Sequence, residues 1–148
     1  MSINQNKYKN QSYYMSLALS QAKKNIGNTK ENPSVGCVIT KNNTVVSAGS
    51  TSFNGRPHAE YNAIKSTKEN LKDSTMFVTL EPCSHYGKTP PCTDLMIKRK
   101  IGKVFFSIED LDFRSRKKCK KILKKKKIIV NKGLLSNEIK KFYESYIK

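Results

Sequence analysis

Positions 82–92 of the chain read Pro82-Cys83-Ser84-His85-Tyr86-Gly87-Lys88-Thr89-Pro90-Pro91-Cys92, and the tripeptide His58-Ala59-Glu60 lies upstream. Together the two segments supply two thiols, an imidazole and a separate carboxylate. This is the inventory of a catalytic zinc site, in which protein donors fill three tetrahedral positions and the fourth is left for water. We therefore predict that His58, Cys83 and Cys92 bind one Zn²⁺ and that Glu60 is free to act as a base.

Both segments are expected at the start of a helix, because Pro57 precedes His58 and Pro90-Pro91 precedes Cys92. Proline is favoured in a first helical turn, and the positive end of the helix dipole stabilises a thiolate. A lone His-Ala-Glu on a helix is more often a surface or core feature than a catalytic one, and a pair of cysteines separated by eight residues is only suggestive of a metal site. Their joint occurrence is what predicts the metal site.

The surrounding hydrophobic pattern predicts alternating helices and strands. Helices are expected at 13–26, 58–71, 91–100 and 116–123, and from Ser136 onward with Ile139, Phe142, Tyr143 and Ile147 on one face. Strands are expected at 35–40, 44–48, 76–80, 104–108 and 127–130, the first two joined in a hairpin by residues 41–43. The pattern predicts an α/β fold: a three-layer α/β/α sandwich with a mixed central sheet of about five strands. We expect one domain over residues 1–148, with residues 1–11 flexible.

The net charge of +18 admits two interpretations. A basic surface attracts phosphates and is compatible with nucleic-acid binding. However, the excess is almost all lysine, and its densest run, 117–127, is interrupted by Cys119, Ile122 and Leu123. That pattern favours a solvated helix face over a nucleic-acid patch, although an anionic small substrate would still be attracted.

The sequence contains no apolar stretch long enough to span a membrane, and its polar start lacks the apolar core of a signal peptide. No membrane partner and a cytoplasmic location are therefore expected. Cys37, within an apolar run, is predicted to be a core residue, whereas Cys119 is predicted to be an exposed bystander among lysines.

The combination of His-x-Glu, Pro-Cys and a second Cys resembles the signature of the zinc-dependent cytidine-deaminase-like superfamily. The usual form of that signature has two residues between the cysteines, and this chain has eight, Ser84 to Pro91. With this longer insertion, residues 81–92 resemble the diaminohydroxyphosphoribosylaminopyrimidine deaminases of riboflavin biosynthesis. The resemblance continues at 32–36, 55–63 and 78–80, and extends from about Tyr14 to the last helix.

The resemblance implies the second step of riboflavin biosynthesis: zinc-dependent hydrolysis of 2,5-diamino-6-(5-phosphoribosylamino)pyrimidin-4(3H)-one to 5-amino-6-(5-phosphoribosylamino)uracil and ammonia. It implies that Glu60 takes a proton from the activated water and delivers protons to the ring nitrogen and the leaving ammonia. It also implies a set of substrate-binding residues: Asn32 on the pyrimidine side, Asp110 on the ribosyl side, and Thr51, His85, Lys88 and Thr89.

For several of these residues a structural role is the alternative, namely a turn before Pro33 for Asn32, loop packing for His85 and Thr89, and a surface charge for Lys88. The resemblance further implies a reductase that uses NADPH, as a following domain or a separate protein. Homo-oligomers are also expected, with the Phe and Tyr of the last helix as an exposed interface.

The chain departs from the family pattern at the substrate end. Thr51 stands where the family usually has His, and Asp110-Leu111-Asp112-Phe113 stands where it usually has Asp-Pro-Asn-Pro. A Gly that usually follows is absent near Arg116-Lys117. Two other functions stay open: a deaminase or binder of nucleic acid such as tRNA, and a non-catalytic domain stabilised by zinc.

Overall fold

The structure is a computed structural model that describes residues 3–146, with side chains described for residues 10–145. Its helices are α1 (Ile3–Ala22), α2 (Ala59–Lys65), α3 (Cys92–Lys98), α4 (Cys119–Lys124) and α5 (Ser136–Tyr146). Its strands are β1 (Gly36–Lys41), β2 (Thr44–Ser50), β3 (Thr75–Leu80), β4 (Lys103–Ile108) and β5 (Ile129–Lys132). None of the helices in this part of the chain combines the length and apolar character needed to cross a bilayer.

The five strands form one mixed sheet in the order β2-β1-β3-β4-β5. Strand β1 is antiparallel to both β2 and β3, whereas β3, β4 and β5 are parallel. The predicted hairpin is confirmed: β1 and β2 are joined by Asn42 and Asn43, both with positive φ, as a two-residue hairpin turn requires.

Helices cover both faces of the sheet, which confirms the predicted three-layer sandwich. Gly36 and Gly49 show how closely two of the helices approach. A Cβ at Gly36 would lie 1.7 Å from the carbonyl oxygen of Ala18 in α1, and one at Gly49 would lie 2.5 Å from the backbone nitrogen of Ala63 in α2. These two glycines therefore permit the helix backbones to lie directly on the sheet.

Two predicted helix boundaries in the first half of the chain differ most from those observed, namely the end of α2 and the start of α1. The helix predicted over 58–71 ends at Lys65. Beyond it the side chains of Thr67 and Asn70 accept hydrogen bonds from the backbone N–H two residues later, so local turns replace the helix. Helix α1 begins at Ile3, well before the predicted start. Residues 1 and 2 lie outside the described residues, and the flexibility of 1–11 stays a prediction.

In the second half of the chain, the helix predicted from residue 116 begins at Cys119, and the strand predicted from 127 begins at Ile129. Lys117 and Lys127 have φ angles of 64°, a left-handed conformation that neither a helix nor a strand admits. The lysine-rich run therefore contains two breaks in regular structure that its composition does not reveal.

The prediction that Cys119 is an exposed bystander is wrong: its exposed fraction is 0 %. Cys119 and Leu123 form the inner face of α4, so the lysines around them describe only the outer face. Burial raises the pKa of the Cys119 thiol, which makes it a poor nucleophile. Cys37, by contrast, is buried in the core as predicted.

The predicted exposure of the last helix's Phe and Tyr is also wrong for Tyr143. Its hydroxyl donates a hydrogen bond to the carbonyl of Ser34 at 2.9 Å and contacts the Thr79 hydroxyl at 2.8 Å. Phe142 is half-buried, packs edge-to-face on Tyr143 and contacts the core. Ile147 lies outside the described residues. Tyr143 thus ties α5 to the sheet and is not available as an oligomer interface.

Candidate metal and active site

The fold brings His58, Cys83 and Cys92 together. His58 is the residue before α2, Cys83 follows the end of β3, and Cys92 is the first residue of α3. The Nδ1 atom of His58 lies 3.7 Å from the Cys83 sulfur and 3.6 Å from the Cys92 sulfur. In a tetrahedral zinc site the nitrogen and sulfur ligands stand about 3.6 Å apart. The group is therefore suited to one zinc ion.

The number of protein donors in this group bears on its chemistry. Between residues 10 and 145, His58, Cys83 and Cys92 are the only His, Cys, Asp or Glu side chains that form a cluster of three or more metal donors. A structural zinc site is closed by four protein ligands, whereas a catalytic site keeps one position open. Three donors therefore match the catalytic type.

A hydrogen bond joins the two cysteines of the donor group. The backbone N–H of Cys92 donates to the Cys83 sulfur at 3.2 Å. The hydrogen bond from the Cys92 thiol lowers the pKa of Cys83 to about 4, while the same pairing and burial raise the pKa of Cys92. The hydrogen bond to Cys83 also raises the pKa of His58. Because metal ligands must be deprotonated, zinc binding at this group would release protons.

Glu60 lies beside the donor group as a buried carboxylate that forms a side-chain hydrogen bond with Cys92. It belongs to the first turn of α2, and only 4 % of its surface is exposed. Burial, with a smaller contribution from the negative charge of Cys83, raises the pKa of Glu60 to about 7. A carboxyl group with a pKa close to neutrality both accepts and returns a proton under physiological conditions.

A cavity of about 830 Å³ opens over these groups, and His58, Glu60 and Cys83 form part of its wall. Four of the six predicted substrate residues also line it: Asn32, Thr51, His85 and Asp110. Lys88 and Thr89 are exposed and lie outside the lining. The structure therefore brings four predicted substrate residues to the metal site and leaves two in the loop beside it.

Two of the lining residues are already engaged with the backbone. The Asn32 side-chain amide donates to the carbonyl of Gly55 at 2.8 Å. The Thr51 hydroxyl accepts from the N–H of Val35 at 2.9 Å and donates to the carbonyl of Pro33 at 3.3 Å. Thr51 is 1 % exposed, so it fixes the loop that forms one cavity wall. These bonds are consistent with the structural alternative for Asn32.

Glu81, which sequence reasoning missed, organises another part of the cavity wall. This carboxylate is 3 % exposed and accepts three backbone N–H groups: those of Asp110 at 3.1 Å, Lys117 at 3.0 Å and Cys119 at 3.2 Å. A buried carboxylate requires such partners, because leaving it without hydrogen bonds is costly. The only sequence signal for this role was an acidic residue directly after a buried strand. Its hydrogen-bond partners lie about 30–40 residues away, so the sequence could not identify them.

Ser115 connects this wall to the loop between the cysteines. Its oxygen accepts from the N–H of Ser84 at 3.0 Å and lies 2.5 Å from Nδ1 of His85. The hydroxyl of Ser115 can then donate its single proton to Nδ1 of His85. Because Nδ1 is the acceptor in this bond, the tautomer with the ring proton on Nε2 is favoured. That nitrogen lies 3.8 Å from the carboxylate of Asp112. His85 is thus oriented from both sides, and nothing in the local sequence around Ser115 signalled this role.

The segment that departs from the family pattern forms the outer part of the same wall. Leu111 and Phe113 are exposed cavity residues, with Phe113 81 % exposed. The Asp112 carboxylate pairs with the Arg114 guanidinium through bonds of 3.0 and 2.5 Å, and this pairing lowers the pKa of Asp112 to about 2. Asp110 is nearly buried, and burial raises its pKa.

Comparison with known proteins agrees with this geometry. Residues 8–108 match the family model of the cytidine and deoxycytidylate deaminase zinc-binding region. The chain is 40 % identical to the diaminohydroxyphosphoribosylamino-pyrimidine deaminase of Buchnera aphidicola subsp. Schizaphis graminum, over 92 % of each chain. It is 38 % identical to the riboflavin biosynthesis protein RibD of Escherichia coli over 92 % of its own length but 37 % of that protein's.

Among solved structures, the chain is similar to the diaminohydroxyphosphoribosylaminopyrimidine deaminase/5-amino-6-(5-phosphoribosylamino)uracil reductase of Thermotoga maritima. The TM-score is 0.87 at 37 % identity, over 95 % of this chain and 41 % of that one. The chain thus spans less than half of the RibD-type relatives but almost the full length of the Buchnera deaminase. It belongs to the cytidine and deoxycytidylate deaminase zinc-binding family, and within that family to the diaminohydroxyphosphoribosylaminopyrimidine deaminases.

Proposed function

We propose that this chain is a zinc-dependent hydrolase that converts 2,5-diamino-6-(5-phosphoribosylamino)pyrimidin-4(3H)-one to 5-amino-6-(5-phosphoribosylamino)uracil and ammonia, the second step of riboflavin biosynthesis. The observation that carries the proposal is the three-donor group beside the buried carboxylate of Glu60 at one cavity. The substrate follows from the 40 % identity to a deaminase named for this pyrimidine.

In the proposed reaction, His58, Cys83 and Cys92 hold the metal. Bound zinc would activate a water molecule as the nucleophile. Glu60 accepts one proton of that water and donates it to the ring nitrogen; it then accepts the second proton of the same water and donates it to the leaving amine. The net change is water plus the exocyclic amine giving a carbonyl plus ammonia. Burial raises the pKa of the Glu60 carboxyl group, which favours its holding a proton between the two transfers.

We assign substrate positioning to the cavity walls. His85 presents its oriented imidazole, Asp110 faces the ribosyl side, and Asn32 and Thr51 shape the pyrimidine side. Thr89 acts through its hydrogen bond with Arg56, at 3.0 Å. Lys88 is exposed and does not line the cavity, so we assign it no direct contact with the substrate.

We also propose that the product passes to a reductase that uses NADPH. The support is that the Thermotoga relative is a deaminase and 5-amino-6-(5-phosphoribosylamino)uracil reductase in one chain, of which this chain spans 41 %. Homo-oligomer formation stays a prediction.

The proposal is tested by measuring ammonia release from zinc-loaded protein with four substrates: the phosphoribosyl diaminopyrimidine, cytidine, dCMP and tRNA. We expect ammonia only from the first. Glu60→Gln is the matched control, because it should keep zinc and lose ammonia release. Preferential release from tRNA would instead support the nucleic-acid alternative, and no release from any substrate by metallated protein would support a non-catalytic zinc domain.

A further inference from the structure

Arg56 lies two residues before the zinc-ligand candidate His58 and reaches across to the loop between the cysteines. Its Nη1 donates to the Thr89 hydroxyl at 3.0 Å. A Cβ at Gly87 would lie 3.6 Å from its Nη2, so the guanidinium lies directly against this loop. Arg56 is half-buried and lines the cavity. It thus links the two segments that supply the metal donors.

The charges around the cavity set Arg56 apart from the other cations. Three lysine and arginine side chains line the cavity: Lys30, Arg56 and Arg114. The charge of Arg114 is compensated by its paired bonds to Asp112. Neither Lys30 nor Arg56 takes part in an ion pair among the side chains described. Of these two, Lys30 is exposed, whereas Arg56 is half-buried and held in place by Thr89.

An uncompensated, oriented guanidinium suits one class of ligand. Arginine presents five N–H donors in a planar fork that matches the oxygens of a phosphate, whereas lysine offers a flexible point charge. The bond to Thr89 uses one of these donors and leaves others for an anion. Because that bond already fixes the side chain, less conformational entropy is lost when an anion binds.

We propose that Arg56 is the specificity-determining residue that binds the phosphate monoester of the substrate. The proposal rests on the function proposed above and names the group that recognises its anionic end. Phosphate binding is thus assigned to the segment that precedes the metal-ligand candidate His58. Thr89 is a positioning residue that holds the guanidinium of Arg56 in place. Phosphate recognition is thereby coupled to the conformation of the loop between the cysteines.

The test compares Arg56→Met with Arg56→Lys and with Arg99→Met, a matched control at a half-buried arginine outside the cavity lining. Each zinc-loaded variant is assayed with the phosphorylated substrate and with its dephosphorylated riboside. We expect Arg56→Met to lower kcat/KM on the phosphorylated substrate by about tenfold to a hundredfold, mainly through KM, as for the loss of one charge-assisted hydrogen bond. The riboside should be affected less than about threefold, and Arg56→Lys should recover part of the loss.

Zinc content and thermal unfolding of each variant establish that the comparison is made between folded proteins. Equal losses on both substrates would overturn the proposal and show that Arg56 only anchors the loop. An unchanged KM for the phosphorylated substrate would also overturn it.

If the wild-type protein deaminates neither compound, the proposed function fails and the role of Arg56 is decided by binding. Titration of ribose 5-phosphate into the zinc-loaded protein should then show about tenfold weaker binding for Arg56→Met than for Arg99→Met. Equal binding by the two variants would overturn the proposal independently of catalysis.

Discussion

The carboxylate of Glu81 accepts a hydrogen bond of 3.2 Å from the backbone N–H of Cys119, the first residue of α4. Glu81 also accepts hydrogen bonds from the N–H groups of Asp110 and Lys117. These contacts connect the segment that forms the cavity wall to the end of β3, two residues before the metal-ligand candidate Cys83. A change at Glu81 should therefore affect the cavity wall more than the metal.

We expect Glu81→Gln to destabilise the protein by about 1–3 kcal/mol, because an amide nitrogen cannot accept the third backbone N–H and leaves it unsatisfied. KM should rise while zinc content is retained, since Glu81 is not a donor. Denaturant unfolding and steady-state kinetics measure the two effects. Glu109→Gln is the control: Glu109 pairs with Lys132 at the surface, and its loss should cost less than about 1 kcal/mol. Zinc loss from Glu81→Gln would contradict this interpretation.

Cys83→Ala should lose zinc and stability together, because at a metal site of this kind binding energy is also folding energy. Metal analysis of purified protein, with about one zinc per chain expected in the wild type, measures the first effect, and thermal unfolding measures the second. Cys119→Ala is a matched control, since Cys119 is a fully buried cysteine outside the donor group. It should retain zinc. A fully metallated Cys83→Ala protein would disprove the ligand assignment.

Glu60→Gln should keep zinc and lower kcat by about a hundredfold or more, which is the usual contribution of a positioned proton-transfer group. The substitution preserves shape and removes only the ability to exchange the proton. Zinc analysis and ammonia release under saturating substrate separate binding from catalysis. Retained turnover would mean that the carboxylate serves only to stabilise the first turn of α2.

In the metal-free protein, Glu60→Gln should increase the free energy of unfolding at high pH. The pKa of Glu60 is about 7 in the folded state and 4.5 in its ordinary environment. The folded state therefore binds more protons, and the contribution of Glu60 to stability is present below pH 4.5 and is lost as the pH rises through about 7. In chelator at pH 8, Glu60→Gln should be more stable than the wild type by about 1–3 kcal/mol.

Denaturant unfolding of both metal-free proteins at pH 8 and at pH 4.5 tests this expectation. The difference should become small at the lower pH, where the wild-type carboxyl group is protonated in the folded state. A wild type that is more stable than Glu60→Gln at pH 8 would show that the buried charge is compensated by groups around it.

The sequence was sufficient for the parts of this molecule that depend on short-range patterns. The two asparagines of the hairpin, the β-branched strands and the spacing of His58 and Glu60 are all local signals, so the sheet and the donor group could be predicted. The roles of Glu81 and Ser115 could not, because each depends on hydrogen-bond partners about 30 or more residues away that only the sheet topology brings together. Cys119 was misassigned because lysines on the outer face of α4 obscured a two-residue inner face.

The N–H of Cys92 lies 3.2 Å from the sulfur of Cys83, although eight residues separate the two cysteines in sequence. The two ends of the intervening loop therefore meet at the donor group, whereas Ser115 and Arg56 contact residues within it. The contact that sets the spacing of the two cysteines does not involve the middle of the loop, so a substitution there can change the substrate side of the site and leave the metal donors in place.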